Sequence, residues 1–328
     1  MIKNREYRPE ESHRGKNRYV LEVKGLSKTY GDFQLKDVRF VLPVGCIMGF
    51  LGKNGAGKST TMKAIMDLIP TDQGDIRILG MRMPEKDVAI KEQVGYVSDT
   101  PLLNERWTVE RTLQFVRHFY RHWDDEAVKK HLKLFQIPVN KKVAHLSKGM
   151  KVKFSLVLAI AHRPKLLLLD EPTSGLDPVA REEVLDVLLA FVRDGSRSVL
   201  FSSHITSDVE KIADAVTLID NGRILLSEDK ESLLDRHRRI IIPDAGRRIG
   251  DDKQDVNDQN ITQEMNRDDV HHPLLFNFQR TKGGYVAYTS RYAELYAREK
   301  QRLDAGEWRA ERLTLEEVFI LLTGKREA

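Results

Sequence analysis

The sequence predicts an α/β fold: a buried parallel sheet with antiparallel strands before it, an inserted helical region, and a small α+β appendage at the C-terminus. Three observations lead there. A glycine-rich loop, GKNGAGKST at Gly52 to Thr60, stands between an apolar strand-type run at Val44 to Leu51 and apolar residues at helical spacing from Thr60 to Leu68. A second apolar run, Lys165 to Leu169, ends abruptly in Asp170 and Glu171. Past Asp235 the composition turns polar, and strand-like and helical patterns resume only at Leu274.

The loop fits the pattern G-x-x-x-x-G-K-[ST] from Gly52 to Ser59. Small residues at Gly52, Gly55, Ala56 and Gly57 let the backbone N–H groups around Lys53 and Asn54 curl about phosphates while Lys58 reaches the outer ones. Ser59 offers a hydroxyl to magnesium, and Thr60 opens the helix. The phosphates then sit at the positive end of that helix, where unpaired N–H groups and aligned peptide dipoles favour anions.

Lys165 to Leu169 reads as a buried parallel strand, so Asp170 and Glu171 fall at its C-terminal end, the edge where open α/β sheets bind ligands. In nucleotide hydrolases of this kind the first acid holds magnesium, usually through water, and the next takes a proton from the attacking water. Asp170 is assigned the metal and Glu171 the base. Ser198 to Phe201 reads as a further buried strand, with His204 just past its end.

Taken with LSKGM at Leu146 to Met150 and LLLLDEPTSGLD at Leu166 to Asp177, the chain resembles the nucleotide-binding subunit of an ATP-binding cassette (ABC) transporter over about residues 19 to 237. The resemblance implies a P-loop NTPase core that binds ATP and magnesium, in a homodimer or heterodimer whose two cassettes face each other head to tail. Ser147 and Gly149 then act on the nucleotide of the opposite cassette. Ser147 is a good helix N-cap and Gly149 keeps the backbone uncrowded, so a second helix terminus can close on the γ-phosphate. Asp177 matches the acid linking the two sites, His204 the histidine at the γ-phosphate, and Tyr30 in SKTYG the aromatic that stacks on adenine. Together with Lys58 and Glu171, His204 completes the catalytic set.

Two positions depart from the family's pattern. Asp99 stands where glutamine is usual, bringing an additional carboxylate toward magnesium. In the signature, Lys148 replaces a second glycine and Met150 a glutamine. The serine and the remaining glycine are kept, so an active site is expected.

The 328 residues, 41% of them hydrophobic, suffice for a full α/β core and a second, smaller domain. The expected divisions are a flexible basic tail at 1–18, the ATPase domain at 19–237 with its helical region at about 99–163, a polar linker at 238–272, and an accessory domain at 273–328. Tyr19 to Val44 alternates in the manner of antiparallel strands, and Asn221-Gly222 signals a hairpin. Thr108 is placed as the cap of a helix with Leu113, Phe115, Val116 and Phe119 on its apolar side. Two short strands around Lys282-Gly283-Gly284 and a helix from Tyr292 to Leu303 make up the appendage. The final LEEVF at Leu315 to Phe319, followed by LTG, resembles the terminal helix of exporter-type cassettes.

The formal charge is +5, but 54 Lys and Arg mingle with 49 Asp and Glu, which argues for a mixed surface and against a nucleic-acid partner. No apolar stretch reaches the roughly 18 to 20 residues needed to cross a bilayer, and the N-terminus is charged. The reading is a cytoplasmic protein, peripheral on the inner face of the cell membrane, with a separate membrane-spanning permease subunit. The single Cys46 lies in an apolar strand and fits a reducing compartment. His118 and His122, four apart, read as a solvated helical face, His271 and His272 as loop residues, and Trp107 and Trp123 as packing. ABC ATPases also act on ribosomes and DNA, but the ribosomal kind joins two cassettes in one chain. The DNA-repair kind needs a long coiled coil between Gly57 and Leu146, where the span is too short. A nucleotide sensor, motivated by Asp99 and the altered signature, is the remaining alternative.

Overall fold

The computed structural model describes residues 18–244 and 272–324, apart from 101 and 282. The chain divides into two compact units that meet between Asp229 and Lys230. The expected N-terminal tail and most of the expected linker lie outside the described residues.

The first unit opens with β1 (Tyr19–Tyr30) and β2 (Phe33–Pro43), an antiparallel pair whose register runs from Tyr19 opposite Pro43 to Tyr30 opposite Phe33. Leu21, Val23, Leu26, Leu35, Val38, Phe40 and Leu42 point into the core, alternating except where the ladder shifts register between Val23 and Lys28. β3 (Ile47–Leu51) is shorter than the expected strand from Val44. Pro43 closes β2, and Gly45 turns the chain with a φ of 78°, so pairing resumes only at Ile47. Helix α1 (Lys58–Ile65) likewise begins and ends earlier than expected: Gly57 at φ 110° opens it, and Asp67 at φ 53° ends any continuation toward Leu68.

Next come β4 (Gln73–Ile78), β5 (Met81–Arg82), α2 (Asp87–Lys91) and β6 (Val94–Val97). The helical region holds α3 (Val109–Arg117), α4 (Asp125–Leu134) and α5 (Lys148–Ala161). Each has a side-chain cap: Thr108 accepts from Arg111 N, Asp124 from Ala127 N, and Ser147 from Met150 N. Of the apolar side expected for α3, Leu113 and Val116 are half-buried but the two phenylalanines are exposed. Val109 and Thr112 are buried, whereas Phe115 and Phe119 are 49% and 65% exposed. They form an edge-to-face row with Trp107, at centroid spacings of 4.9 and 5.1 Å.

β7 (Leu166–Asp170), α6 (Pro178–Val192), β8 (Ser198–Ser203), α7 (Thr206–Ile212), β9 (Ala215–Asp220) and β10 (Arg223–Asp229) complete the unit. The central sheet has the order β10-β9-β3-β8-β7-β6, parallel from β9 to β6, with β10 antiparallel at the edge. A second sheet, β2-β1-β4-β5, is antiparallel. Asn221 and Gly222 take φ values of 46° and 72°, the pair of left-handed residues that a tight hairpin between β9 and β10 demands.

The second unit contains α8 (Lys230–Arg236), β11 (Arg238–Pro243), β12 (Phe276–Thr281), β13 (Gly284–Thr289), α9 (Tyr292–Asp304), β14 (Arg309–Arg312) and α10 (Leu315–Thr323). Its antiparallel sheet runs β12-β13-β11-β14 over a core of Ile240, Ile242, Leu274, Leu275, Ala287, Leu295 and Trp308. Residues 238–243, expected in the linker, are thus an inner strand, since Ile240 and Ile242 alternate into that core. The boundary falls at Asp229 rather than residue 237 because α8 clusters with this sheet. Thr314 and Glu317 cap α10 reciprocally.

Helix α7 packs on β3 so closely that a Cβ at Gly49 would lie 2.2 Å from Val209 Cγ1. Gly49→Ala is expected to destabilise the unit by about 1–3 kcal/mol, and Val209→Ala made with it to recover part of that loss. Urea unfolding of the two single variants and the double variant measures the coupling. Strictly additive losses would contradict the contact.

Candidate nucleotide site

Four strand ends deliver the polar residues to one edge. Leu51 of β3 stands opposite Ser203 of β8, Asp170 of β7 opposite Ser202, and Val97 of β6 opposite Leu169. Because these strands are parallel, loop 52–57, Asp170 with Glu171, His204, and Ser98 with Asp99 all emerge at the same C-terminal edge.

The glycine-rich loop is held by close packing. A Cβ at Gly52 would lie 2.6 Å from Ile219 O, and one at Gly57 2.6 Å from Leu35 Cδ2 and 2.9 Å from Phe33 Cζ. Ala56 N donates to Lys53 O at 3.1 Å, and Ala56 O accepts from Gly222 N at 3.0 Å, tying the loop to the β9–β10 hairpin. Lys53, Asn54 and Gly55 are exposed, and Ser59 and Thr60 half-buried. The Lys58 ammonium is buried. Its Nζ donates to Gly52 O at 2.7 Å and Lys53 O at 3.3 Å, and pairs with Glu171 Oε1 at 3.0 Å.

Glu171 is the hub of the edge. Its other oxygen, Oε2, lies 2.7 Å from His204 Nδ1. The residue has a φ of 53°, a conformation that side chains rarely adopt and that costs of order 1–3 kcal/mol. Asp170 beside it is buried, and its Oδ1 accepts from Ser202 Oγ at 2.7 Å. Burial pushes the Asp170 carboxyl above the usual carboxylate range; hydrogen bonds from Ser202 and Ser59 oppose this, and the charges of Asp99 and Glu171 add to it. The Tyr96 phenol is pushed up to about 12, first by its own burial and then by the charge of Asp170.

Ser59, bonded to Asp170, and Asp99, whose charge acts on it, add hard oxygen donors near this buried carboxyl. Among the described residues no group of three or more His, Cys, Asp or Glu forms a metal cage. This chemistry fits magnesium, which keeps several waters and takes one or two carboxylates together with substrate phosphates.

The remaining sequence-derived residues lie outside this cluster of acids, lysine and histidine. Tyr30 closes β1 opposite Phe33, a residue against Gly57; it is 48% exposed, with Lys28 Nζ 5.2 Å from its ring centroid. Ser147 is exposed at the start of α5. Gly149 faces Leu176, whose Cδ2 would lie 3.1 Å from an added Cβ. Asp177 caps α6, accepting from Val179 N and Ala180 N, both at 3.0 Å. These backbone donors, Ala180 foremost, hold its carboxyl below the usual range. His118 Nδ1 lies 2.6 Å from Gln114 O, and His272 Nε2 lies 3.3 Å from Glu299 Oε1. Ser202 was not singled out from sequence, although a serine opposite the first acid on the neighbouring strand is the signal that marks it.

A family model described as ABC transporter matches residues 35–174. ABC transporter ATP-binding protein YtrB of Bacillus subtilis is 32% identical over 222 residues, covering 67% of this chain and 76% of that protein. Nod factor export ATP-binding protein I of Sinorhizobium fredii is 32% identical over 228 residues, covering 68% of this chain and 66% of that protein. A solved ATP-binding subunit of an ABC transporter superposes with a TM-score of 0.61 at 32% identity, over 66% of this chain and 92% of that one. With the phosphate loop, paired acids and histidine gathered at one sheet edge, these likenesses place the chain in the ABC transporter family as a nucleotide-binding subunit.

Proposed function

We propose that this chain hydrolyses ATP to ADP and phosphate and that the cycle of cassette closure and reopening powers a membrane exporter. The observation that carries this reading is the pairing of one carboxylate, Glu171, with both Lys58 and His204 beside the glycine-rich loop. ATP entering the loop offers phosphate oxygens to Lys58, which then releases Glu171 Oε1. The freed oxygen accepts the proton of a water attacking the γ-phosphorus in line with the departing ADP. His204, bonded to Oε2, keeps the carboxylate oriented. Ser59 and Asp170, with Asp99 nearby, would hold magnesium, which would supply positive charge to the phosphate oxygens when bound. Positioning and fixed charge provide most of the rate.

The facing cassette, an identical copy or a related chain, completes each site with Ser147 and Gly149, and Asp177 links the two. Ser147 and Asp177 are both exposed, and Gly149 packs on Leu176, so these groups share one surface region. Tyr30 stacks on adenine from its place beside the loop. Among the described residues no helix is long and apolar enough to cross a membrane. A permease subunit supplies the path, as the likeness to ATP-binding subunits of transporters supports, and the exposed Phe115 and Phe119 row is the surface offered to it. In this reading the chain works on the inner face of the cell membrane. Export is favoured by the terminal LEEVF and by the export role in the name of the Sinorhizobium relative.

Phosphate release by the purified chain tests hydrolysis and separates it from nucleotide sensing. Glu171→Gln is expected to keep ATP binding, lose about 10²- to 10⁴-fold in turnover, and accumulate as a dimer on a sizing column. Wild-type turnover in a folded Glu171→Gln protein contradicts the assignment. Lys58→Ala is expected to weaken nucleotide binding itself; unchanged ATP affinity by calorimetry counts against the loop.

A further inference from the structure

Ser202 is fully buried at the C-terminal end of β8, directly opposite Asp170 in the parallel ladder. Its hydroxyl makes two contacts at once: Oγ lies 2.7 Å from Asp170 Oδ1 and accepts from Glu171 N at 2.9 Å. The direction of both bonds is fixed by chemistry. A backbone N–H can only donate, so the serine oxygen accepts there and its single proton goes to the carboxylate. One hydroxyl thus joins the side chain of the metal acid to the backbone of the base.

The location of the second bond matters. Glu171 holds a left-handed φ of 53°, and the peptide entering that residue is the one Ser202 anchors. With the turn held, the Glu171 carboxylate reaches Lys58 and His204 instead of continuing along the strand direction. An extended Glu171 would follow the ladder, as the residues before it do. Strained backbone of this kind persists only where neighbours over-determine it, and Ser202 is one such neighbour.

We infer that Ser202 is a positioning residue for the reaction, clamping Asp170 and Glu171 into one geometry. The inference rests on the proposed roles of Asp170 and Glu171, and acts through them without touching substrate. Its effect belongs to the metal-dependent part of the cycle. The glycine-rich loop binds phosphate through Lys58 and backbone N–H groups that Ser202 does not contact.

The test compares Ser202→Ala and Ser202→Thr with wild type in the full chain. Three quantities are measured: ATP affinity in EDTA by calorimetry, Mn²⁺ affinity in the presence of ATP by electron paramagnetic resonance, and kcat against KM. Loss of an outer partner of a metal-binding carboxylate typically costs 10- to 100-fold. Ser202→Ala is expected to lose 10- to 100-fold in Mn²⁺ affinity and in kcat, with metal-free ATP affinity within about twofold of wild type. Ser202→Thr, which keeps the hydroxyl, is expected to recover most of both. Wild-type Mn²⁺ affinity and kcat in Ser202→Ala, or a threonine variant as defective as alanine, overturns the clamp. Should Ser202→Ala fail to bind ATP even in EDTA, Ser202→Cys, near-isosteric with a weakly bonding thiol, is read by the same criteria. If the wild-type chain itself binds ATP without hydrolysing it, the proposed function fails first, and the Mn²⁺ comparison still decides the clamp.

Discussion

A single carboxylate shared between two partners governs the arrangement of the site. Glu171 meets Lys58 at 3.0 Å and His204 at 2.7 Å, and both Lys58 and Glu171 are nearly excluded from water. Charges buried to that degree are tolerated only when paired, and deleting one member of such a pair commonly costs 3–5 kcal/mol. The same pairing joins the glycine-rich loop to the end of β7 and to the segment after β8. Three stretches far apart in sequence are held together by one side chain.

The fold makes that meeting possible through register. β3, β8 and β7 are neighbours in a parallel sheet, so their C-terminal ends coincide and everything that leaves them faces one side. β7 carries no polar residue until the edge: Leu166 to Leu169 are completely buried, and the first acid follows at once. The antiparallel sheet and the β9–β10 hairpin buttress the loop from behind. Leu35 and Phe33 close on Gly57, Gly222 N donates to Ala56 O, and Lys36 N donates to Gly222 O at 2.8 Å. Small residues in the loop are required by this crowding as well as by any phosphate.

Much of this was legible in the sequence, for reasons that can be named. The glycine-rich loop and the paired acids are local patterns whose neighbours in sequence are also their structural context. Thr108 and Ser147 cap helices as their residue types predict. What escaped depends on partners distant in the chain. Ser202 is an ordinary serine until β7 and β8 are laid side by side. Phe115 and Phe119 belong by composition to the apolar side of α3, yet the helix turns Val109 and Thr112 inward and leaves both rings exposed. β11 lay within a segment dominated by polar composition, where two buried isoleucines were too few to outweigh their surroundings. The left-handed turn at Glu171 is likewise invisible to propensity, since a glutamate gives no local sign of it.

The central claim is that Lys58 and Glu171 are partners that separate when a triphosphate enters the loop. A crystal structure of the full chain with a non-hydrolysable ATP analogue and magnesium measures it most directly. The account predicts Lys58 Nζ against the outer phosphates, beyond hydrogen-bonding distance of Glu171, with Glu171 facing a water in line with the γ-phosphorus. Nucleotide bound elsewhere, or Lys58 still paired with Glu171 beneath an occupied loop, would contradict it.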